Sequence, residues 1–314
     1  METKELILRY GFVAGKRYKK SQKLRFLLGM TQEFQEMGYR TEAKQTEKKV
    51  LNNTNLYVGN ISGARLLAES YYDTPPSCLK LFPYRFFSRS CRRTAGNLAV
   101  ILPMLTIILI GVLFFTLAYV PLWNEGGQVS VAGAASLVFF LILLKALHSF
   151  RRGFGQKRNI VRNTSSLIAL LKLAQEEKGN SDIAYVLTDN GCGSNVGADV
   201  LEQQKRRHQT CVHLDCVGAP GTLYAVYSAS GLRPQLPAKL RALCQELTIT
   251  PLNVDEHTCL KLDYFNKEDI YLLAGEYCPE GFILRKKQLL STELQEDHLE
   301  KTVLFLRKFC KVLS

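Results

Sequence analysis

The sequence predicts an α/β fold, an α/β sandwich around a largely parallel sheet, interrupted by a transmembrane helical hairpin. Three observations carry this reading: two long apolar stretches in mid-chain, basic residues on their outer flanks, and strands alternating with helices on either side. The first stretch, Leu98–Trp123, contains no charge. The second, Val129–Leu147, has Lys145 near its end as its single charge. A bilayer core takes roughly 20 apolar residues in helical form, and both stretches meet that. The alternative is a pair of buried core helices, but a soluble helix of such length ordinarily keeps a polar face.

The flanks give an orientation. Lys80, Arg85, Arg89, Arg92 and Arg93 precede the hairpin, and Lys145, Arg151, Arg152, Lys157, Arg158 and Arg162 follow it. The connecting loop around Pro121–Ser130 has no Lys or Arg, only Glu125. Basic residues stay on the cytoplasmic side, so the chain is expected to be a two-span protein of the cell membrane with both termini cytoplasmic. Tyr119 and Trp123 would lie at the outer interface, and Lys145 would snorkel toward the inner headgroups. The domains follow as 1–96, the first part of a cytoplasmic domain, 97–147, the hairpin, and 148–314, the remainder of that domain.

Composition fits this placement. The 314 residues carry a net charge of +13, and about 260 residues outside the spans are enough for one sizeable domain. METKELILRY shows no signal-peptide core. Nine cysteines are scattered without a small-domain disulfide pattern, which suits a reducing compartment and leaves the sequons at Asn52, Asn60 and Asn163 idle. The positive charge points to the bilayer and its anionic headgroups rather than to nucleic acid, because the flanking basic residues are drawn to the inner leaflet and no nucleic-acid module accompanies them. The densest basic cluster, Gly15–Arg25, reads as a solvated helix face.

Segment 20–38 is amphipathic and ends at Gly38. Asn55–Gly59 and Ala64–Tyr72 read as short strands. After the hairpin, Asn163 or Thr164 caps a helix with Leu167, Leu170, Leu171 and Ala174 on one face, the i, i+3, i+4, i+7 pattern, and Lys178-Gly179 ends it. Ile183–Thr188 is a buried strand and Val196–His208 a helix. Cys211–Val217 and Thr222–Tyr227 are strands, Pro237–Leu247 a helix, 270–274 a strand, and Thr292–Val312 a terminal helix with Leu299, Val303, Leu306 and Phe309 facing the core. This alternation gives the α/β sandwich.

Four strand-end and helix-start segments form a recognisable series. Tyr71-Tyr72-Asp73-Thr74-Pro75-Pro76 resembles the H-Y-D-T-P-P segment of the zinc-dependent exopeptidases, the co-catalytic metallo-aminopeptidases related to bacterial leucyl aminopeptidase, glutamate carboxypeptidase II and the transferrin receptor ectodomain. Arg162-Asn163-Thr164-Ser165-Ser166 resembles their D-N-T-S-G, Asp189-Asn190-Gly191-Cys192 their D-N-E-E, and His213-Leu214-Asp215-Cys216-Val217-Gly218 their N-L-D-C-V-G. The segments stand in the family's order, and the resemblance spans most of 55–76 and 159–314. It implies a three-layer α/β/α sandwich with a largely parallel mixed sheet. The hairpin falls between the first and second segments, and two spans return the chain to the side it left, so both halves close into one domain.

The resemblance also implies a two-zinc centre, and here its donors are largely replaced. Tyr71 stands at the first histidine position, Arg162 at the bridging aspartate, and Gly191-Cys192 at the paired glutamates that supply the general base and a ligand. No histidine occurs in Ile283–Lys287. Asp215 alone matches a direct ligand, and Asp73 matches the carboxylate that orients a histidine absent here. A guanidinium at the bridging position repels a dication, and loss of the glutamates removes the proton acceptor for the attacking water. The expectation is a pseudo-peptidase without cofactor that binds a peptide, a protein partner or a sibling peptidase subunit, with Tyr71, Asp73, Arg162, Gly191, Cys192 and Asp215 lining a vestigial pocket in which Arg162 pairs with Asp73 or Asp215. The transferrin receptor is the family's precedent for shed metals and a retained recognition surface. The alternatives are an active divergent metallo-aminopeptidase that holds zinc and hydrolyses the peptide bond at a free N-terminus, and a structural membrane component.

Other constellations are weaker. His213 and Asp215 share a strand face and, with His257, Cys192 or Cys216, are candidates for a residual metal site, although Cys216 is expected on the opposite face. Cys192 in its glycine-rich turn is a candidate nucleophile with His213 or His257 as base, but a small loop residue of ordinary reactivity explains it as well. Gly191–Gly197 lacks the Lys-Ser/Thr ending of a phosphate-binding loop. Tyr84–Phe87 reads as an interfacial element lying on the membrane with its arginines.

Overall fold

A computed structural model describes residues 2–48, 51–76, 83–121, 124, 131–150, 154–257, 262–279 and 281–313. The strands are β1 (Thr41–Lys48), β2 (Leu51–Val58), β3 (Leu66–Tyr71), β4 (Tyr84–Arg85), β5 (Ile183–Thr188), β6 (Thr210–Asp215), β7 (Thr222–Tyr227), β8 (Thr250–Asn253), β9 (Ile270–Cys278) and β10 (Gly281–Leu284). They form a mixed ten-stranded sheet ordered β1-β2-β5-β3-β6-β9-β10-β4, with β7 and β8 attached through β9. The centre, β5-β3-β6-β9, is parallel, while β1, β2, β10 and β4 flank it in antiparallel pairs. The sheet is therefore parallel at its centre and in the attached β7–β8 pair and antiparallel elsewhere, which narrows the expectation of a largely parallel sheet.

Burial follows the period-2 pattern of a strand covered on both faces. Leu66, Ala68, Ile183, Tyr185, Leu187, Val212 and Leu214 point to the larger core. There they meet Phe26, Met30 and Phe34 of α2 (Lys20–Glu36) and the apolar faces of α5 (Ser165–Glu176), α7 (Leu236–Glu246) and α9 (Glu296–Val312). Their neighbours Leu67, Ala184, Val186 and Cys211 turn to the other face, where Leu201 of α6 (Val196–Gln204) covers them. Leu299, Val303, Leu306 and Phe309 are core, as their spacing predicts.

Several boundaries differ from the sequence reading. β1 and β2 pair through eight residues, but TEAKQTEK has no apolar alternation, so β1 goes unread. α6 stops at Gln204 because the chain turns there into the loop that leads to β6. Neither Asn163 nor Thr164 caps α5. The helix is entered through a π-helical turn, Ile160–Thr164, and both side chains accept hydrogen bonds from Arg17 Nη2 at 2.9 Å.

Tyr84–Phe87 is not interfacial. Tyr84 and Arg85 form β4 against β10, and Tyr84, Phe86 and Phe87 are buried, with Phe87 edge-on to Tyr271 and Phe282. The basic cluster is also only partly solvated. Arg17 is completely buried, donating from Nε to Tyr72 O at 2.6 Å and from Nη1 to Tyr10 O at 2.9 Å, with its guanidinium 4.6 Å from the centre of the Phe26 ring. Burial lowers its pKa to about 10, so it is still a cation at neutral pH.

Among the described residues, one helix is long and apolar enough to cross a membrane: Arg89–Tyr119, which comprises α3 (Arg89–Phe114) and a π-helical continuation, Phe115–Tyr119. The apolar part of α4 (Val131–Phe150), Gly133–Ser149, is shorter, so the structure gives one helix of spanning length where the sequence reading has two. The pair is antiparallel. Phe114 stacks on Phe139 at 3.7 Å, and a Cβ at Gly111 would come within 3.3 Å of Leu143. Most of their remaining large side chains, among them Leu105, Leu109, Leu117, Leu141 and Leu144, are exposed, while Ile107 is buried. The connection between the helices is described only at Pro121 and Asn124, so Trp123 and Glu125 lie outside the described residues, as do Lys80, Arg151 and Arg152.

Arg17 ties the amino-terminal segment to the end of β3 and to the turn that carries Arg162. Truncating a hydrogen-bonded buried cation strands its acceptors and costs about 3–5 kcal/mol. Arg17→Met is therefore expected to lower the unfolding free energy by at least about 3 kcal/mol in a denaturant titration of the detergent-solubilised protein. A loss within the range of an ordinary surface substitution, about 0.5 kcal/mol, contradicts this role.

Candidate functional site

Open α/β sheets bind their ligands beyond the carboxyl ends of the parallel strands. Here that edge is formed by Tyr71, the last residue of β3, by Asp189–Cys192 after β5, and by Asp215, the last residue of β6. Arg162 enters from the π-helical turn before α5, and Tyr84 from β4. The structure thus brings together all six positions singled out by the sequence: Tyr71, Asp73, Arg162, Gly191, Cys192 and Asp215.

Arg162 is the centre, with 0% exposure. It does not pair directly with Asp73 or Asp215. Its Nε donates to the Tyr71 hydroxyl at 2.9 Å, and that hydroxyl donates to Asp215 Oδ1 at 2.7 Å. Tyr84 donates to the other oxygen, Oδ2, at 2.7 Å. The two tyrosines occupy the space between cation and carboxylate, so the expected ion pair becomes a relay through a phenol. The Arg162 guanidinium also lies 4.0 Å from the centre of the Tyr84 ring and 5.6 Å from that of Tyr71, a cation–π arrangement that gains strength where water is excluded. Burial raises the pKa of Tyr71 and Tyr84, so both are neutral donors.

Asp73 has no histidine to orient. Its carboxylate accepts from the Cys192 backbone N–H, at 3.1 Å to Oδ1 and 3.2 Å to Oδ2. Burial raises its pKa, with Lys23 acting in the opposite direction. Cys192 is buried, with its Sγ 3.1 Å from Asp73 O, and burial pushes the thiol far up. A protonated thiol is a poor nucleophile. Neither proposed base is available to it: His213 lies between two carboxylates and His257 accompanies the Tyr277 hydroxyl at 3.2 Å.

Gly191 stands where the backbone leaves no room for a side chain. A Cβ there would come within 2.2 Å of Tyr71 Cβ, so the tyrosine ring and a side chain at 191 exclude each other. Asn190, just before it, holds the left-handed φ of 59° that asparagine tolerates. Cys216 also has a positive φ, 57°; it packs in the larger core with Val212 and Leu214, as its expected face requires, and its thiol lies 3.2 Å from Asp215 Oδ1.

Two residues that sequence reasoning assigned elsewhere complete the site. Arg92, counted among the lipid-facing flank, is 8% exposed. It donates from Nη1 to Gly191 O and from Nη2 to the Tyr84 hydroxyl at 3.2 Å, and the Tyr264 ring covers its guanidinium at 4.8 Å. Lys23, from the basic cluster, donates to Asp189 Oδ1 at 2.5 Å and Asn190 Oδ1 at 3.2 Å. The first turn of α3 therefore plugs the site with Arg92.

The residual metal set is not assembled, since Asp215 is held by Tyr71 and Tyr84, and His213 and His257 have other partners. A separate group, Cys211, His213 and Asp269, has ligand atoms within 4.8 Å of one another. Its members are already engaged. His213 faces Glu69 Oε2 at 2.7 Å through Nδ1 and Asp269 Oδ2 at 3.1 Å through Nε2, and Lys205 Nζ sits 2.7 Å from Asp269 Oδ1. Two carboxylates on the two ring nitrogens call for an imidazolium. Burial opposes that charge, yet Cys211, Tyr271 and Asp269 outweigh it, and His213 titrates well above the ordinary histidine range. Glu69, Asp269, His213 and Lys205 thus form a largely buried ion network beside the site, with the exposed Glu202 and Glu268 also on Lys205.

The chain is similar in structure to Porphyromonas gingivalis glutaminyl cyclase, at 14% sequence identity and a TM-score of 0.55 over 94% of this chain and 93% of that one. It is also similar to Macrostomum lignano glutaminyl cyclase, at 9% identity and a TM-score of 0.53 over 99% and 90% of the two chains. A leucine aminopeptidase precursor from Bacteroides thetaiotaomicron matches at 9% identity and a TM-score of 0.52 over 96% and 93%. No family model and no curated protein matches the sequence. The likeness establishes a mixed α/β fold shared with these glutaminyl cyclases and this aminopeptidase. Two zinc ions do not fit the residues present: the one matching carboxylate is held by two phenols, a guanidinium stands at the bridging position, and the general-base position has no room for a side chain.

The His213 network has a definite pH signature. Its folded pKa is raised, so the stability it contributes is fully present below the unfolded value, about 6.5, and is lost as pH rises through the folded value. The unfolding free energy of the native protein is expected to fall more steeply above about pH 6.5 than that of His213→Gln, by up to about 1.4 kcal/mol per pH unit. Identical slopes for the two proteins contradict the imidazolium.

Proposed function

We propose that this chain is held in a membrane by its apolar helices and that its peptidase-fold domain binds a peptide or protein partner without hydrolysing it. The observation that carries the non-catalytic reading is the buried Arg162 between Tyr71 and Tyr84. A buried permanent cation occupies the position that the resemblance gives to the bridging aspartate, and Tyr71 Cβ and Cγ stand where a side chain at 191, the resemblance's general-base position, would begin. Hydrolysis by metal-activated water needs the metal and a positioned proton acceptor, and neither has a place in this arrangement. The retained fold then serves as a binding surface, a role that folds of this kind take on without their chemistry.

The exposed apolar side chains of α3 and α4 support the membrane anchor, because contiguous apolar patches of this extent on a soluble protein are rare. Arg89, Arg93, Lys157 and Arg158 remain exposed beside the two helices and suit anionic headgroups. Both helices would span, with the termini on the cytoplasmic side.

The solubilised protein is expected to release no product from leucyl and methionyl p-nitroanilides or from a peptide with amino-terminal glutamine, with zinc, cobalt or manganese supplied. It is also expected to retain a fraction of a random peptide library and to stay in the membrane pellet on alkaline carbonate extraction. Metal-dependent turnover abolished by a chelator contradicts the non-catalytic reading. Recovery in the carbonate supernatant contradicts the anchor.

A further inference from the structure

We propose that the centre of the site binds a small monoanion, a carboxylate or a chloride ion, between Arg162 and Arg92. The first observation is a set of buried donors with nowhere to go. Arg162 spends Nε on Tyr71, and its Nη1 and Nη2 have no partner among the described residues. Arg92 spends Nη1 on Gly191 O and Nη2 on Tyr84, and its Nε is likewise unpartnered. Buried polar groups are otherwise hydrogen-bonded in folded proteins, and a buried charge left unmatched is the costliest case. The two guanidiniums meet at one residue, with Arg162 over the Tyr84 ring and Arg92 on its hydroxyl.

The second observation is the charge balance. The site and its immediate support hold four cationic side chains, Arg17, Lys23, Arg92 and Arg162, against three carboxylates, Asp73, Asp189 and Asp215. In the neighbouring network, Glu69 and Asp269 are taken up by His213 and Lys205, and the further carboxylates there, Glu202 and Glu268, also lie on Lys205 rather than on the arginines. Asp215 cannot serve the arginines directly, because its oxygens take the Tyr71 and Tyr84 hydroxyls and the Cys216 thiol. Cys192 is a neutral thiol, since burial disfavours its thiolate. One positive charge is left over, at the place where the N–H groups are unpartnered.

These facts define the ligand class. A single excess charge calls for a monoanion, since a dianion such as sulfate would invert the imbalance in a medium of low dielectric. The unpartnered N–H groups belong to side chains that are buried, with the half-buried Tyr264 ring over Arg92, which favours a ligand of a few heavy atoms or one carboxylate group. The unpartnered edge of Arg162, Nη1 with Nη2, is the fork that grips a carboxylate in two-point fashion. A free carboxylate, the carboxyl terminus of a peptide and a halide share this chemistry. The inference concerns the arginines alone and stands whether or not the domain recognises a larger partner.

The test is the thermal unfolding midpoint of the solubilised full-length protein at fixed ionic strength. Gluconate, too bulky for a buried site, is replaced stepwise by chloride or by formate. A specific ligand raises the midpoint with its concentration by mass action. The expected result is a rise with chloride, formate or both, absent in gluconate. Arg92→Met, which keeps Arg162 in place, is expected to weaken the apparent affinity at least about tenfold, as loss of one charge-assisted donor implies, and Arg162→Met to abolish the rise. Formate alone identifies a carboxylate site and chloride alone a halide site. A short peptide added with a free and then an amidated carboxyl terminus separates a peptide source from a free acid, since only the free form raises the midpoint if the source is peptide. Equal midpoints in all three salts overturn the proposal, as does a rise that survives unchanged in Arg92→Met.

Discussion

A buried guanidinium at the focus of the sheet is the constraint on which the rest of the site depends. Arg162 cannot reach water, so everything around it manages its charge. Tyr71 and Tyr84 present their ring faces to it, Tyr71 carries its Nε hydrogen bond on to Asp215, and Tyr84 takes the other oxygen of the same carboxylate. A direct Arg–Asp pair would be simpler, but it would leave two phenols without partners. In the relay, each hydroxyl and both carboxylate oxygens are used.

The neighbouring position is set sterically. Residue 71 at the end of β3 passes so close to Gly191 that a side chain at 191 would strike the Cβ and Cγ of Tyr71. With no side chain at 191, the Gly191 carbonyl is open to Arg92, which reaches in from the first turn of α3. The apolar helix and the site are therefore mechanically joined. Arg92 and Arg89 anchor the first turn of a helix whose apolar side chains mostly face outward, and Arg92 lies over the cation–carboxylate relay under the Tyr264 ring. Movement of α3 would be felt at Tyr84 and Gly191 before anywhere else in the domain.

The parts of this arrangement legible in the sequence are those governed by local rules. Strand ends at Tyr71, Thr188 and Asp215 follow from apolar runs and their period, and the ordered series of segments placed six residues at one focus. Direction of side chains is not a local property, and there the reading fails. Arg92 lies among arginines beside an apolar stretch, so its charge reads as lipid-facing, yet tertiary packing folds it back. Lys23 and Arg17 sit in a basic run that reads as solvated, while the sheet edge supplies Asp189 and backbone oxygens that draw them in. Tyr84–Phe87 reads as interfacial because aromatic residues and arginines adjoin a membrane-length helix, and a two-residue pairing with β10 overrides that pattern. TEAKQTEK is polar on both faces, and its strand is specified by pairing with β2 rather than by burial.

The central claim is that the metal centre has been replaced by a permanent cation held between two phenols. Its most direct test is the metal content of the solubilised protein by elemental analysis, after exposure to excess zinc, cobalt and manganese and removal of loosely held ions. Replacement by Arg162 predicts far less than one equivalent of any of the three. One or two tightly held equivalents, lost when Asp215 is changed to alanine, would contradict it and restore a metallopeptidase reading.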